Sequence, residues 1–436
     1  MRKYLISAML AVTILIFVTS CMSAGNDSGE LYVPIRSGIV QPNHPSYNHS
    51  MFISENGELW GWGDNAYGQL GNGNTENQHT PVRIMENVAT VISEQRKTVA
   101  LKTNGELWTL GTHYTAIADE IMYFYNDNII NLTALQLGID RTMILDRVIY
   151  FDVNVFNIAA IQNCGTLWVW GDNSFGQIGN GSTEASHLPL KIMENVSIVS
   201  LRGFNITAMQ DCGTLWTWGR NQYGQLGNGM TENSAYPVKV LENVSRFYNA
   251  GFTQAAIKND GTLWTWGANH LGELGDGTRE DSNHPVAILD AVSDVAIISN
   301  RVFALRGDGE LWGWGWNLNG AVGSGVEEEV QLVPAKIMGN IKSIATATSY
   351  VMAITNDNVL WGWGWGVPLC DEVTDIHPIP VEIKRNASQV VSWDTHVLVL
   401  DSDAVLWSWG FNSLGKLGVG TFEMFHAREP LTITLK

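Results

Sequence analysis

A tryptophan-rich phrase recurs along the chain and gives its apolar and polar positions a regular period. The clearest copy runs from Asn56 to Gly73 and reads NGELWGWGDNAYGQLGNG. The spacings between the first Trp residues of successive copies are 48, 60, 48, 48, 48, 49 and 46 residues. These residues are Trp60, Trp108, Trp168, Trp216, Trp264, Trp312, Trp361 and Trp407. Such a period predicts a solenoid, a propeller or another repeat array.

The pattern inside each copy predicts short strands. Asn-Gly or Asp-Gly pairs such as Asn56-Gly57 stand between two apolar runs, which is a signal for a tight two-residue hairpin turn. In Leu59–Gly63 the alternation places Trp60 and Trp62 on one face of a strand and glycines on the other. The strand is followed by a glycine-rich loop, then by a Pro in most copies, and then by further short apolar runs. Each unit therefore predicts four strands and no helix, which is typical of a propeller blade.

The ends of the chain predict how the units close. The chain begins with the second half of a unit, ending near Gly63, and finishes with a complementary first half, Phe411 to Lys436. Counting halves gives seven whole units and one split unit. We therefore expect an all-β fold, a β-propeller of eight four-stranded blades, with seven blades as the alternative. The N- and C-termini would share the closing blade, which removes the open edge of the sheet.

The repeated phrase resembles that of a known family. The pattern W-G-x-N-x-x-G-Q-L-G-x-G, followed by Pro-Val and a hairpin into Leu-Trp, is similar to the regulator-of-chromosome-condensation repeat. The resemblance covers roughly residues 50 to 430 and implies a β-propeller, usually of seven blades. The founding member is a nucleotide-exchange factor for a small GTPase, but no residue here matches a known exchange element. Secreted bacterial members include a β-lactamase inhibitor, which implies protein binding through an aromatic-rich face.

The start of the chain resembles a bacterial lipoprotein leader. Residues 1–21 hold a short basic start and the apolar run Leu5–Val18, which is too short to span a bilayer comfortably. The run ends in Val-Thr-Ser-Cys, so Cys21 resembles the acylated Cys of a lipobox, and an ordinary signal peptide is the alternative. We expect residues 22–30 to form a flexible tether and residues 31–436 a single propeller domain. The predicted location is extracytoplasmic, lipid-anchored to the bacterial membrane.

Charge and chemistry narrow the possible functions. The formal net charge of −18 opposes binding to nucleic acid and to anionic lipid head groups, so we expect contact with the membrane only through the lipid anchor. We also expect a monomer. The dispersed His residues show no metal-ligand spacing, and no catalytic constellation or cofactor motif is present. Cys164 and Cys212 occupy the same turn position in adjacent units, and whether they form a disulfide is left open.

One position of the repeat varies widely in residue type and is a candidate binding position, namely the residue just after each Trp-Gly or Leu-Gly. In chain order it is Asp64, Thr112, Asp172, Arg220, Ala268, Trp316, Trp365 and Phe411. A position that accepts Asp, Arg and Ala is not expected in the core, yet the last three units place aromatics there. Trp316, Trp365 and Phe411 therefore predict a contiguous aromatic sector for binding. The alternative is that these rings pack on their own loops.

A second candidate site is the insertion that lengthens the second unit, which contains Tyr123, Phe124 and Tyr125. Its alternative interpretation is a surface loop packed on itself. The leading hypothesis is a non-enzymatic, membrane-anchored scaffold that binds an extracytoplasmic protein. The alternative is a module that binds carbohydrate or cell wall, because Trp and Tyr also stack on sugar rings. A hydrolase with a site built from separate loops is the third hypothesis.

Overall fold

The chain folds into antiparallel β-sheets of four strands each. The structure is a computed structural model, and it describes residues 31, 33–34, 38–40, 49–54, 56–63, 65–94, 97–111, 142–366, 376–392, 396–403, 405–411 and 426–433. Within these ranges there are eight sheets of four strands. The prediction of an all-β chain with eight four-stranded blades is confirmed.

The described residues fall into two compact units, and each contains four sheets. The first unit comprises the described residues within Val18–Gln222 and Met230–Glu242. Its strands are β1 Gly38–Val40, β2 His49–Ile53, β3 Leu59–Gly63, β4 Gln78–Met85, β5 Val88–Glu94, β6 Lys97–Lys102, β7 Leu107–Gly111, β8 Thr142–Leu145, β9 Val148–Val153, β10 Asn157–Gln162, β11 Leu167–Gly171, β12 Ser186–Met193, β13 Val196–Arg202, β14 Asn205–Gln210, β15 Leu215–Gly219 and β16 Ser234–Leu241.

The second unit comprises Tyr223–Gly229 and Asn243–Lys436 among the described residues. Its strands are β17 Val244–Asn249, β18 Thr253–Lys258, β19 Leu263–Gly267, β20 Ser282–Leu289, β21 Val292–Ile298, β22 Arg301–Arg306, β23 Leu311–Trp316, β24 Val330–Met338, β25 Ile341–Thr346, β26 Tyr350–Thr355, β27 Val359–Trp365, β28 Ile376–Arg385, β29 Ala387–Ser392, β30 His396–Asp401, β31 Leu406–Phe411 and β32 His426–Ile433. A short 3-10 turn, Leu318–Gly320, follows β23. The single domain expected over residues 31–436 stays a prediction.

The prediction that the two termini share one sheet is wrong. The first sheet is β1-β2-β3-β4 and the last is β29-β30-β31-β32, so each is complete from its own stretch of chain. The short strand Gly38–Val40 pairs with β2, with Gly38 opposite Ile53, and supplies the strand that was expected from the C-terminus. The physical reason is where each sheet ends along the repeat. A sheet includes the strand after its glycine-rich loop and ends at the turn that follows this strand. At the first such turn, Asn87 has φ 59°, a left-handed conformation that Asn tolerates.

The second Trp of each phrase belongs to the core. Trp218, Trp266, Trp314, Trp363 and Trp409 are all fully buried. The indole Nε1–H of Trp218 donates to the carbonyl of Gln177, 2.9 Å away, in the glycine-rich loop of the preceding repeat. Trp266 and Trp314 donate in the same way to the carbonyls of Gln225 and Glu273. In these three repeats the second Trp therefore joins its sheet to the loop before it as well as filling the interior.

The first Trp of each phrase lies half-buried at the edge of the hairpin. The Nε1–H of Trp168 donates to the Gln162 side chain at 2.9 Å, and that of Trp216 donates to Gln210 at 3.0 Å. The hairpin turn is longer than the two-residue turn predicted, because three residues separate Gln162 from Thr166, which share a backbone hydrogen bond of 3.0 Å. Only the last of the three, Gly165, has positive φ, at 78°.

One buried Asn holds each glycine-rich loop in the described part of the chain. In the third repeat the Asn173 side-chain amide donates to the carbonyls of Ser182 and Glu184, both at 2.9 Å. Its side-chain oxygen accepts the backbone N–H of Ile178 at 2.8 Å. Because a buried amide is costly to leave unpaired, these contacts fix the loop that ends the phrase.

Candidate functional site

The position after Trp-Gly is more buried than the sequence suggested. Asp172, Arg220 and Ala268 are 2%, 6% and 6% exposed, so the expectation that this position lies outside the core is wrong. Local partners make the burial possible. The Asp172 carboxylate accepts hydrogen bonds from the Gln177 amide at 2.6 Å and the Ser174 hydroxyl at 2.7 Å. A charged side chain can therefore be buried here because its own loop satisfies it.

Arg220 is buried in a cluster of aromatic rings that the sequence analysis missed. Its guanidinium lies 5.2 Å from the ring centroid of Phe175 and donates to the Gln222 side chain. Phe204 packs against both neighbours, with its ring centroid 4.8 Å from Phe156 and 4.9 Å from Phe175. These rings are half-buried and satisfied by one another. The cluster is therefore a packed part of the first unit rather than an open surface.

Trp316 and Trp365 occupy the same place in consecutive sheets of the second unit. The backbone N–H of Trp316 donates to the carbonyl of Asn300 at 2.9 Å, and that of Trp365 donates to the carbonyl of Ser349 at 2.9 Å. Trp316 is half-buried opposite Val330, whereas Trp365 is 45% exposed. The two rings therefore differ, and Trp365 is the one that presents a large apolar surface to solvent.

Three exposed aliphatic side chains lie on the two segments that adjoin the strand end of Trp365. Ile376 is its direct partner across β27 and β28, so the two side chains leave the same face of the sheet. The 3-10 turn that carries Leu318 packs against both strands, and a Cβ added at Gly320 would lie 2.4 Å from the Cα of Pro378. Next to Pro378 stands Ile379.

We call this group the Trp365 patch, and it consists of Leu318, Trp365, Ile376 and Ile379. Their exposed fractions are 41%, 45%, 48% and 55%. Single exposed apolar residues are common on protein surfaces, but several grouped around a Trp are typical of an interaction surface. The binding sector predicted from Trp316, Trp365 and Phe411 stays a prediction; of its two described side chains, Trp365 is open and Trp316 partly covered.

A buried cation lies between the two Trp-bearing strand ends. Arg301 pairs with Gly315, the residue before Trp316, and its guanidinium donates to the carbonyl of Thr348, beside Ser349. The side chain is 1% exposed, and its Nε and Nη1 atoms have no hydrogen-bond partner among the described residues. Burial without a counter-charge lowers the pKa of Arg301 to about 10.

Other predicted site residues lie outside the described part of the chain. These are Cys21 and the insertion residues Tyr123, Phe124 and Tyr125, and the side chain of Phe411 at the end of β31 is likewise not described. Cys164 and Cys212 are both free and exposed, so the disulfide considered between them is absent. Within the described ranges, no group of three or more His, Cys, Asp or Glu residues could hold a metal ion. No helix in those ranges has the length and apolar character needed to cross a membrane.

Sequence reasoning missed Leu318, Ile376 and Ile379, and a signal for one of them was present. The residue before the Pro of the outer strand is Leu188, Tyr236, Val333 or Ile379 in four repeats, and each is exposed. Comparing that position across copies would have marked Ile379 as a surface residue. Leu318 and Ile376 carry no such signal, because strand pairing places Ile376 opposite Trp365 and the packing of the 3-10 turn brings Leu318 to β27 and β28.

Comparison with protein families supports the repeat assignment. The family model described as the regulator of chromosome condensation (RCC1) repeat matches residues 56–94, 165–207, 212–257, 260–300 and 308–354. These ranges begin at the first described phrase; they include β5 but not β6 to β8 of the second sheet, omit β9 and β10 of the third, and end in the seventh sheet, before the eighth.

Several curated proteins are similar over about a third of the chain. The E3 ubiquitin-protein ligase HERC2 of Homo sapiens is 24% identical over 144 residues, which is 32% of this chain and 3% of that protein. The ultraviolet-B receptor UVR8 of Arabidopsis thaliana is 26% identical over 156 residues, 33% of this chain and 32% of the receptor. Human protein RCC2 is 27% identical over 149 residues, 31% of this chain and 25% of RCC2. The chain thus spans at most about a third of these relatives.

Two solved structures share the fold. Prp20p of Saccharomyces cerevisiae aligns with a TM-score of 0.50 and 22% identity, over 66% of this chain and 77% of Prp20p. Human WBSCR16 aligns with a TM-score of 0.50 and 17% identity, over 85% of this chain and 88% of WBSCR16. With the eight four-stranded sheets, these alignments identify the architecture as a β-propeller.

Proposed function

Because the chain belongs to the regulator-of-chromosome-condensation repeat family, we propose that it is a non-enzymatic scaffold that binds another protein through the Trp365 patch. We further propose that lipid on Cys21 anchors it to a bacterial membrane, outside the cytoplasm. The lipobox-like sequence before Cys21 supports the anchor. Prp20p, which has the same fold, has been characterised for its binding to Gsp1p and histones, which gives protein binding a precedent in this architecture.

The observation that carries the proposal is the exposure of Trp365 together with that of three aliphatic side chains on the adjoining segments. Trp is enriched at the centres of protein interfaces, where it supplies much of the binding energy. Leu318, Ile376 and Ile379 add apolar area, which suits a protein partner with its own apolar side chains.

The same composition favours protein over the alternative partner, a cell-wall glycan. Sugar rings bind best to flat aromatic faces with polar side chains beside them, whereas three of the four residues in the Trp365 patch are aliphatic. The net charge of −18 opposes a nucleic acid partner.

Capture from a cell-envelope extract tests the proposal. The bait is the full chain in detergent, compared with the Trp365→Ala and Ile379→Ala variants. The matched controls are Tyr236→Ala, an exposed aromatic residue of the first unit, and Leu188→Ala, which occupies the same pre-proline position as Ile379. We expect specific protein bands to fall about tenfold with both patch variants, because truncating an interface anchor costs more than 1 kcal/mol, and to persist with both controls.

Three outcomes would contradict the proposal. Bands that are unchanged by Trp365→Ala and Ile379→Ala would exclude the patch as the binding surface. Retention only on insoluble wall or purified glycan would favour the carbohydrate-binding alternative. For the anchor, a Cys21→Ser variant that stays in the detergent-soluble membrane fraction as the unaltered chain does would exclude acylation of Cys21.

A further inference from the structure

The loop that carries Leu318 also carries three consecutive exposed carboxylates, Glu327, Glu328 and Glu329. Asn317 holds them beside the 3-10 turn. Its backbone N–H donates to the carbonyl of Glu329 at 2.6 Å, and its side-chain amide donates to the carbonyl of Glu328 at 2.9 Å. Within the described part of the chain, none of the three carboxylates forms an ion pair. The Trp365 patch therefore has an acidic rim with no internal counter-charge.

One of these carboxylates, Glu327, has no acidic counterpart in the other described loops, and Glu329 has one only in the fifth repeat. The position of Glu328 is Glu in the other described loops as well, namely Glu76, Glu184, Glu232 and Glu280. The position of Glu327 is Thr75, Thr183, Thr231 and Arg279 in those loops, and that of Glu329 is Asn77, Ala185, Asn233 and Asp281. The loop scaffold does not need either carboxylate, because the other loops keep the same Asn-centred hydrogen bonds without them.

We propose that the Trp365 patch docks a basic, apolar peptide segment of the partner protein, whose Lys or Arg side chains face Glu327, Glu328 and Glu329. Exposed charges at the rim of an apolar contact select a partner of opposite charge and speed its association. This repeat is the one described loop with three consecutive carboxylates, and it also carries Leu318. This inference rests on the proposed function and names the chemistry of the partner at the same site.

The test uses three synthetic 16-residue peptides with the same pattern of Leu and Trp and with Lys, Glu or Ser at all other positions. Binding to the full chain is measured at 50 mM and 500 mM NaCl. The test variant is Glu327→Gln with Glu329→Gln. The control is Glu184→Gln with Glu232→Gln, which changes the net charge equally in two loops of the first unit. Any attraction that depends only on the overall negative charge affects both double variants alike.

We expect the Lys peptide to bind at least tenfold more tightly than the Glu peptide at 50 mM NaCl, and this ratio to fall at 500 mM because salt screens exposed charges. The rim variant should bind the Lys peptide about three- to tenfold more weakly, and the control variant should bind it as the unaltered chain does. Trp365→Ala should weaken all three peptides.

Equal effects of the two double variants, equal binding of the Lys and Glu peptides, or no binding of the Lys peptide would overturn the inference. These results are distinguishable from failure of the proposed function. If Trp365→Ala still removes captured protein while the charge variants do nothing, the docking surface stands and its preference for basic segments does not. If Trp365→Ala changes neither capture nor peptide binding, both fail.

Discussion

Replacing Gly179 by Ala should disrupt the contact that joins one repeat to the next. Gly179 ends the loop segment whose Gln177 carbonyl accepts the indole N–H of Trp218. A Cβ at position 179 would lie 2.6 Å from Nε1 of Trp218 and 3.0 Å from its Cδ1, and the indole is fully buried. The ring cannot withdraw into solvent, so either the loop or the strand must move.

Gly73 provides a control that separates backbone strain from the steric contact. Its φ is +88°, against +87° for Gly179, and a Cβ there would meet no atom within 4 Å. Gly73→Ala should therefore cost only the left-handed backbone penalty, roughly 1–2 kcal/mol. Gly179→Ala should cost the same amount plus roughly 1–3 kcal/mol for overpacking and about 1 kcal/mol for a weakened hydrogen bond.

Urea unfolding followed by Trp fluorescence measures the two losses. We expect the free energy of unfolding of the first unit to fall about 2–4 kcal/mol further for Gly179→Ala than for Gly73→Ala. Adding Trp218→Phe to Gly179→Ala should cost less than adding it to the unaltered chain, because the smaller ring relieves the clash. Equal losses for the two glycine variants, or an additive double variant, would refute the contact as the link between repeats.

Two further substitutions test buried charges in the second unit. Burial raises the pKa of Glu273, so its ionised carboxylate destabilises the folded state at pH 7. Gln stands at the same position in the first, third and fourth repeats, and Glu273→Gln should therefore raise the urea midpoint at pH 7. The gain should shrink as the pH falls and the native carboxyl takes up a proton; a gain independent of pH would contradict the argument. Burial lowers the pKa of Arg301 to about 10, which corresponds to roughly 3 kcal/mol, and Arg301→Met gives up the hydrogen bond to Thr348. The net gain should be about 1–2 kcal/mol in the same urea assay, and a loss of stability would show that the cation has a partner in solution.

The number and type of sheets could be predicted from the sequence because the same pattern recurs in successive repeats. The residues at which each sheet begins and ends could not be predicted. Val82–Met85 and Val88–Ile92 look like successive strands of one unit, but the turn at Asn87 separates two sheets. A left-handed Asn between two apolar runs is compatible with a hairpin as well as with a step between sheets. Only the pairing of Gly38–Val40 with β2 decides between the two, and that short strand has no periodic signal.

The candidate site was predictable only in part, for a different physical reason. Comparing copies identified Trp365, because an aromatic replaces a small or polar residue at a fixed place. Burial at that place depends on partners elsewhere in the loop, such as Gln177 for Asp172, and these are not visible from one position. The remaining members of the Trp365 patch lie on two other segments, and the exposure of the group follows from the packing of the 3-10 turn on β27 and β28.

The repeats change their outer chemistry without changing their internal support. Asn317 makes the same contacts as Asn173, donating to two loop carbonyls at 2.9 Å and accepting the backbone N–H five residues ahead. The side chains on either side of this Asn change together. Asp172 and Ser174 flank Asn173, and Arg220 and Gln222 flank Asn221, and a hydrogen bond joins each pair. Trp316 and Leu318 take the same two positions around Asn317. A pair that satisfies itself presents little to a partner, whereas an apolar pair leaves carbon surface uncovered. The Asn contacts are the same whichever pair flanks the Asn, and Trp365 is exposed, so substitutions at Trp365 should alter binding and leave the sheets intact.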